Sequence, residues 1–239
     1  MAPAGYGGSV EGVHAVAAAI AAGRVEKLFV ERGRRGRLEG IISVVDDSMI
    51  NLVDEVRSLA ETDAPQGVVA WCRQIRPVAL ETLAGESAAV LVLDHVEDPH
   101  NVGAAARSAR AAGMTGLVVS SRRAAPLSAA AFKAAAGALE HLPVAVVGSI
   151  PEALSRLKGD GLWIVGLDMG GDQSLFDLDL LTEPLAVVIG AEGSGLAELT
   201  RKRCHVLASI PMARPAESLN ASVSAALASF EIMRVRTPR

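Results

Sequence analysis

Aromatic residues are nearly absent: one tyrosine, two tryptophans and four phenylalanines in 239 residues. That scarcity argues against an aromatic-rich all-β sandwich and leaves little surface for stacking on nucleic-acid bases. Cysteine is as rare. Cys72 and Cys204 stand far apart and form neither a disulfide framework nor a Cys-x-x-Cys pair, which suits a reducing cytoplasm. Positive charge is not in excess either. A net charge of −4 gives no global pull toward nucleic acid, so any such binding must use local basic patches. Long apolar runs are also missing: HAVAAAIAAG is too short and alanine-rich to span a bilayer, and MAPAGYGGS lacks the basic start of a secretion signal. A soluble intracellular chain with no membrane partner is expected. What is present is 50% hydrophobic, dominated by Ala, Val and Leu, enough for helices packed on branched strands.

Two patterns follow one another along the chain. Residues 1–8 read as a loose tail. EGVHAVAAAIAAGRV reads as a helix with Gly23 as its stop, KLFVE as a strand, ERGRRGR as a loop and LEGIISVVDD as a second helix. MINLVDEV and GVVAWC read as strands around a short helix at RSLAETD, completing a small α/β unit over 1–72. RQIRPVALETLAGES has no clear period and reads as a linker over 73–87. From residue 88 to 239 the apolar runs AVLVLDHV, GLVVSS, VAVVGS, LWIVGLDM, LAVVIG and VLASIPM alternate with helical stretches, predicting a parallel sheet covered on both faces. Ligands of such sheets bind beyond the carboxyl ends of the strands, so the residues just after each run are the ones to search.

Three segments lie at such ends. DHVEDPHNVG gathers Asp94, His95, Glu97, Asp98 and His100, which suggests a metal site. Pro99 breaks any helical spacing among them and no second His/Cys cluster completes a site, so the reading preferred here is no metal. A loop whose acids and Asn101 cap a helix starting near Val102 explains them better. VVIGAEGSGL sets Glu192 among Gly190, Gly193 and Gly195; it is neither a dinucleotide fingerprint nor a phosphate loop, because the glycine spacing is wrong and no Gly-Lys-Ser/Thr follows. IPMARPAESLNASVSAA clusters Glu217, Ser218 and Asn220 at the start of a last helix, with Ser218 as a candidate N-cap.

Taken together, DPHNVGAAARSARAAG, VVIGAEGSGL and IPMARPAESLNASVSAA resemble, in order and spacing, the three motifs of the SpoU/TrmH family of RNA ribose 2′-O-methyltransferases, within the SPOUT superfamily. The first unit resembles that family's L30e-like RNA-binding extension, on EGVHAVAAAIAAGRVEKLFV and PQGVVA. The resemblance implies an α/β fold with a SPOUT-type parallel sheet and a C-terminal trefoil knot, preceded by the small L30e-like α/β domain. It implies S-adenosylmethionine as methyl donor, an RNA ribose 2′-hydroxyl as acceptor, and a homodimer with active sites near the interface. Carried onto matching positions, it makes Asn101, Arg107, Glu192, Ser218 and Asn220 catalytic, and places the cofactor against Leu167, Gly190, Ala191, Ile210, Met212 and Leu219. Arg214-Pro215-Ala216 departs from the family's usual small residues, which bears on the cofactor loop.

The chemistry agrees with these parts. In-line methyl transfer needs positioning and a polarised hydroxyl, and no metal. The family's proposal makes Arg107 the base, but a guanidinium stays protonated under ordinary conditions, so Arg107 more safely holds RNA phosphate or ribose. Arg32, Arg34, Arg35 and Arg37 cluster in the first unit as candidate RNA contacts, with Arg122-Arg123 and Arg201-Lys202-Arg203 in the second. The L30e-like extension favours large-subunit (23S) ribosomal RNA, with guanosine as the acceptor, over tRNA; DNA is not an expected partner. Rival expectations are a tRNA 2′-O-methyltransferase, a non-catalytic RNA-binding protein on the same scaffold, and a metal hydrolase.

Overall fold

The computed structural model describes residues 5–121, 127–213 and 218–237, which form two sheets. The first contains β1 (Ser9–Glu11), β2 (Val25–Glu31), β3 (Ile50–Val53) and β4 (Val68–Cys72), in the order β1-β4-β2-β3. Helices α1 (Val13–Ala21) and α2 (Arg35–Ile42) accompany it. Leu28 and Val30 of β2 and Val68, Ala70 and Cys72 of β4 share a core with Val16, Ala19, Leu38 and Ile42, so the strand period of two meets helical spacing on one face. Gly23 ends α1 as expected: at φ +65° it closes a Schellman motif, its N–H donating to Ile20 at 2.8 Å and Arg24 N–H to Ala19 at 3.1 Å.

The second sheet contains β5 (Ala89–Leu93), β6 (Gly116–Ser120), β7 (Val144–Val147), β8 (Trp163–Leu167), β9 (Gln173–Ser174), β10 (Leu185–Ile189) and β11 (Val206–Ser209). Its order is β7-β6-β5-β10-β8-β11-β9, with every neighbouring pair parallel. All six apolar runs are strands of this sheet. Its helices are α3 (Pro99–Ala111), α4 (Ala129–Ala135), α5 (Ile150–Gly159), α6 (Glu198–Arg203) and α7 (Ala221–Arg236). Along β5, Ala89, Leu91 and Leu93 join the core that includes α3 and α7, while Val90 and Val92 join the core that includes α5. Burial on both faces is why these strands read as unbroken Val/Ile/Leu.

The first unit departs from its sequence reading in several places. Residues 5–8 are no loose tail: Gly7 and Gly8 are buried, and Gly8 accepts from Cys72 N–H at 2.9 Å. They lead into β1, a strand too short to show alternation. The basic stretch is a 3₁₀ turn, Arg32–Arg34, running into α2, which stops at Ile42 well before Asp47. RSLAETD supplies one 3₁₀ turn, Arg57–Leu59. The expected linker is extended and then forms a 3₁₀ turn whose Leu80 and Leu83 are buried in the core with α5. It is a fixed strap against the second sheet.

Polar and aromatic contacts fasten the first sheet's unit to α4 and to the 3₁₀ turn Ala138–Glu140 that follows it. Arg24 grips Glu140 through two bonds of 2.6 and 2.5 Å, with the Glu140 side chain 1% exposed. Its guanidinium also lies 5.5 Å from the Phe132 ring centroid. Lys133 of α4 donates to Thr62 and Ala64. Gly7 sits so close to Phe132 that a Cβ there would lie 2.4 Å from the ring.

Candidate functional site

Strand order places the site. β5 and β10 are neighbours in the sheet although far apart in sequence, so the loop after β5 and the turn after β10 stand side by side at the carboxyl edge. The first helical position after the β5 loop is Pro99, whose missing N–H costs nothing there. Asp98, and not Asn101, caps α3: its carboxylate accepts His100 N–H at 2.9 Å. Asn101 lies inside the first turn, 7% exposed, with its amide aimed out of the helix.

The turn after β10 is a tight one. Ala191 and Gly195 exchange backbone bonds of 3.1 and 2.9 Å, and Gly193 and Gly195 take φ +77° and +67°. A Cβ on Gly190 would meet the Gly195 carbonyl carbon at 2.2 Å, so only glycine lets this turn fold back on its strand. The fold-back exposes Glu192. Asn220, at the third motif, is the N-cap of α7, its Oδ1 accepting Ser222 N–H at 2.9 Å and Val223 N–H at 3.4 Å. Ser218, expected as the cap, instead lines a cleft before the helix.

These three motifs converge on one carboxylate. Glu192 Oε1 accepts Asn101 Nδ2 at 2.7 Å and Asn220 Nδ2 at 2.5 Å, and Asn220 Nδ2 also reaches Asn101 Oδ1 at 3.0 Å. Two amides fix one oxygen, which leaves Oε2 free to accept a proton-bearing group. Glu192 lies in the wall of two adjoining clefts.

The first cleft, about 300 Å³, is lined by Leu167, Gly190, Ala191, Ile210, Met212 and Leu219 together with Ser218, Asp168 and Arg201. All six residues expected to face a cofactor therefore share one cavity, although they come from three separate stretches of chain. Asp168 and Arg201 pair across its wall. Asp168 is not among the expected site residues, yet it is the residue immediately after β8, where the strand-end rule directs attention. Arg201 is expected as an RNA contact and stands instead in this cleft. The second cleft is lined by His95, Glu97, Asp98, Asn101 and Glu192.

Other expected residues lie elsewhere. Arg107 is exposed on α3 and has no hydrogen-bond or ion-pair partner among the described residues. It is not brought to the Glu192 cluster. Arg32, Arg34, Arg35 and Arg37 are all exposed; Arg32 pairs with Asp54 at 3.3 Å and Arg34 with Glu31 at 3.0 Å, which leaves Arg35 and Arg37 unpaired among the described residues. Lys202 pairs with Glu198 at 2.6 Å. Arg122-Arg123, Arg214-Pro215-Ala216 and Glu217 lie outside the described residues.

Asp94, His95 and Asp98 of the stretch that suggested a metal are engaged in structure. Asp94 is fully buried, one oxygen accepting Ala197 N–H at 3.0 Å and the other lying 2.7 Å from His95 Nδ1. Among the described residues no three His, Cys, Asp or Glu side chains converge as ligands. The two cysteines are free thiols, pushed up by burial to about 12 at Cys72 and about 11 at Cys204, which keeps them neutral and poorly nucleophilic.

With this geometry in place, the comparisons are specific. Residues 88–230 match the model of the SpoU rRNA methylase family, and residues 9–78 match that of the RNA 2′-O ribose methyltransferase substrate-binding domain. The chain is 38% identical over 243 residues to the 23S rRNA (guanosine-2′-O-)-methyltransferase RlmB of Yersinia pestis, covering 95% of this chain and 97% of that one. The crystal structure of the SpoU methyltransferase AviRb from Streptomyces viridochromogenes with AdoMet superposes with a TM-score of 0.80 at 29% identity, covering 95% and 89% of the two chains. A structure addressing 2-OH methylation of C/U34 on tRNA matches over 97% of its own chain but only 63% of this one, at 28% identity and a TM-score of 0.56. Motifs, sheet order and matches over nearly the whole chain agree: this protein belongs to the SpoU rRNA methylase family.

Proposed function

We propose that the protein transfers the methyl group of S-adenosylmethionine to a ribose 2′-hydroxyl of 23S rRNA, at a guanosine. The observation that carries this reading is the union, in one cleft beside the Asn101–Glu192–Asn220 cluster, of Leu167, Gly190, Ala191, Ile210, Met212 and Leu219. The residues fit the donor. Leu167, Ile210 and Leu219 would hold the donor's apolar part, and the carboxylates of Glu192 and of Asp168, which Arg201 also engages, would face its cationic groups. When bound, S-adenosylmethionine supplies a methyl group activated by that sulfonium. Glu192 lies in the wall shared with the second cleft and orients the ribose hydroxyl there, Asn101 and Asn220 hold Glu192, and Ser218 lines the donor side.

The chain divides as an RNA-binding domain over 1–72, a connecting strap over 73–87 and a catalytic domain over 88–239. Arg32, Arg34, Arg35 and Arg37 present cation to RNA phosphate from the first, and exposed Arg107 does so from the second. The first domain favours ribosomal over transfer RNA, since the tRNA-linked structure aligns with only 63% of this chain. The C-terminal segment is threaded as a SPOUT-type trefoil knot, preceded by an L30e-like first domain, and the packing of α7, which follows β11, back onto α3 supports the knot. The protein works as a homodimer: α7 is apolar on both sides, burying Ala221, Ala225, Ala228 and Ile232 while Val223, Leu227 and Phe230 stay 36–45% exposed. No helix among the described residues is long and apolar enough to cross a membrane, and a ribosomal RNA substrate supports a cytoplasmic site of action.

The test is transfer of label from methyl-labelled S-adenosylmethionine to rRNA and tRNA transcripts. Label in 23S rRNA at a guanosine ribose supports the reading. Label in tRNA alone overturns the substrate, and absence of donor binding by calorimetry favours a non-catalytic RNA-binding protein.

A further inference from the structure

The arginine emphasised by the family motif cannot serve as a proton acceptor while protonated, and it stands exposed on α3, outside the residues lining either cleft. The second cleft contains a group of better chemistry. His95 follows β5 with φ +60°, a left-handed backbone that a non-glycine residue adopts at a cost. Its ring is held against Asp94, whose side chain is 0% exposed, at 2.7 Å through Nδ1. Asp94 is itself fixed by Ala197 N–H at 3.0 Å. A buried carboxylate on Nδ1 selects the tautomer that leaves Nε2 as a lone-pair acceptor. The His95 side chain is 36% exposed, and it lines the same cleft as Asn101 and Glu192.

We propose that His95, oriented by Asp94, accepts the proton of the ribose 2′-hydroxyl during methyl transfer. This rests on the methyltransferase reading above. As the ribose oxygen bonds the methyl carbon, the carbon–sulfur bond breaks with its electron pair remaining on sulfur. The hydroxyl proton passes to His95 Nε2, and the imidazolium later releases it to water. The other titratable groups lining the cleft are all acids, Glu97 and Asp98 on the His95 loop and Glu192 on the turn opposite, and Asp94 is buried behind the ring. Their negative charge stabilises the imidazolium formed in the step.

The test compares wild type with His95→Asn and His95→Gly in single-turnover methylation of 23S rRNA transcript. Asparagine and glycine both accept a left-handed backbone, so both variants fold, and unaltered thermal unfolding verifies it. Loss of general-base help lowers the rate constant by about 100-fold or more while KM for RNA and donor affinity change little. Added imidazole restores His95→Gly in proportion to its concentration and leaves His95→Asn slow. An active wild type whose His95 variants keep its rate overturns this assignment alone, and so does a slowed His95→Gly that imidazole does not rescue. A wild type that binds the donor yet methylates no RNA overturns the activity reading and this step together.

Discussion

Gly103→Ala sets two known effects against each other within α3. Alanine is the better helix former by about 0.5–1 kcal/mol, so propensity alone makes the variant more stable. Packing opposes it. A Cβ at Gly103 would lie 2.3 Å from the Ala131 carbonyl oxygen, 2.7 Å from Ala134 Cβ and 2.9 Å from Ala135 N. Two of those atoms are α4 backbone and cannot rotate away, so the helices must separate, at a cost of about 1–3 kcal/mol or more. The clash wins, by roughly 1–2 kcal/mol, which at about 2–4 °C per kcal/mol lowers Tm by some 2–8 °C. Gly40 in α2 is the control: nothing lies within 4 Å of its Cβ position and its φ is not positive, so Gly40→Ala raises Tm by a few degrees. Thermal unfolding followed by circular dichroism measures both. Because α3 carries Asn101 to its 2.7 Å bond with Glu192, Gly103→Ala also slows methyl transfer, by up to about 100-fold for a 1 Å misplacement. A Gly103→Ala protein as stable as wild type, beside a stabilised Gly40→Ala, would refute the close α3–α4 contact on which this depends.

Asn220→Asp keeps an acceptor for Ser222 N–H but replaces an amide 2.5 Å from Glu192 with a second carboxylate, so donation to Glu192 is lost and like charges meet. The variant should unfold at a lower temperature than wild type, and an unchanged Tm contradicts this. Glu140→Ala leaves Arg24 without the partner it holds at 2.6 and 2.5 Å, and chemical denaturation should show a loss of about 3–5 kcal/mol, an unchanged midpoint arguing against a fixed junction between the two units. Burial pushes Cys72 up to about 12, above its ordinary 9.0, so its stabilising contribution is complete below the ordinary thiol range and is lost as pH rises through 9 toward 12. Between pH 8 and 11 the wild type should lose stability more steeply than Cys72→Ala, and parallel curves would contradict the burial argument.

The second sheet was legible because its strands are buried on both faces: runs such as AVLVL and LAVVI have no alternative to a covered parallel sheet. Gly23 was legible as a stop because a Schellman turn is decided within six residues. The first unit was harder. β1 has three residues and the basic stretch has no apolar period, so neither gives a local signal, and their state follows from pairing with β4 and from Leu38 and Ile42 reaching the core. Asn101 was expected as a cap and is not one, because the two candidate caps, Asp98 and Asn101, are separated only by which carboxylate or amide the α7 and β10 turns require.

By itself the sequence determined which residues are chemically capable: the glycines of the 190–195 turn, the amides and carboxylate of the three motifs, and the strands that carry them. Tertiary structure decided which of them meet. β10 inserts beside β5, and α7 returns onto α3, so residues 91 and 28 positions apart close on one oxygen of Glu192. The same crossing leaves Arg107 on the outside and turns Asp168, Arg201 and His95 toward the clefts. Strand order is a long-range choice, set by how whole faces bury together, and no local window of residues contains it.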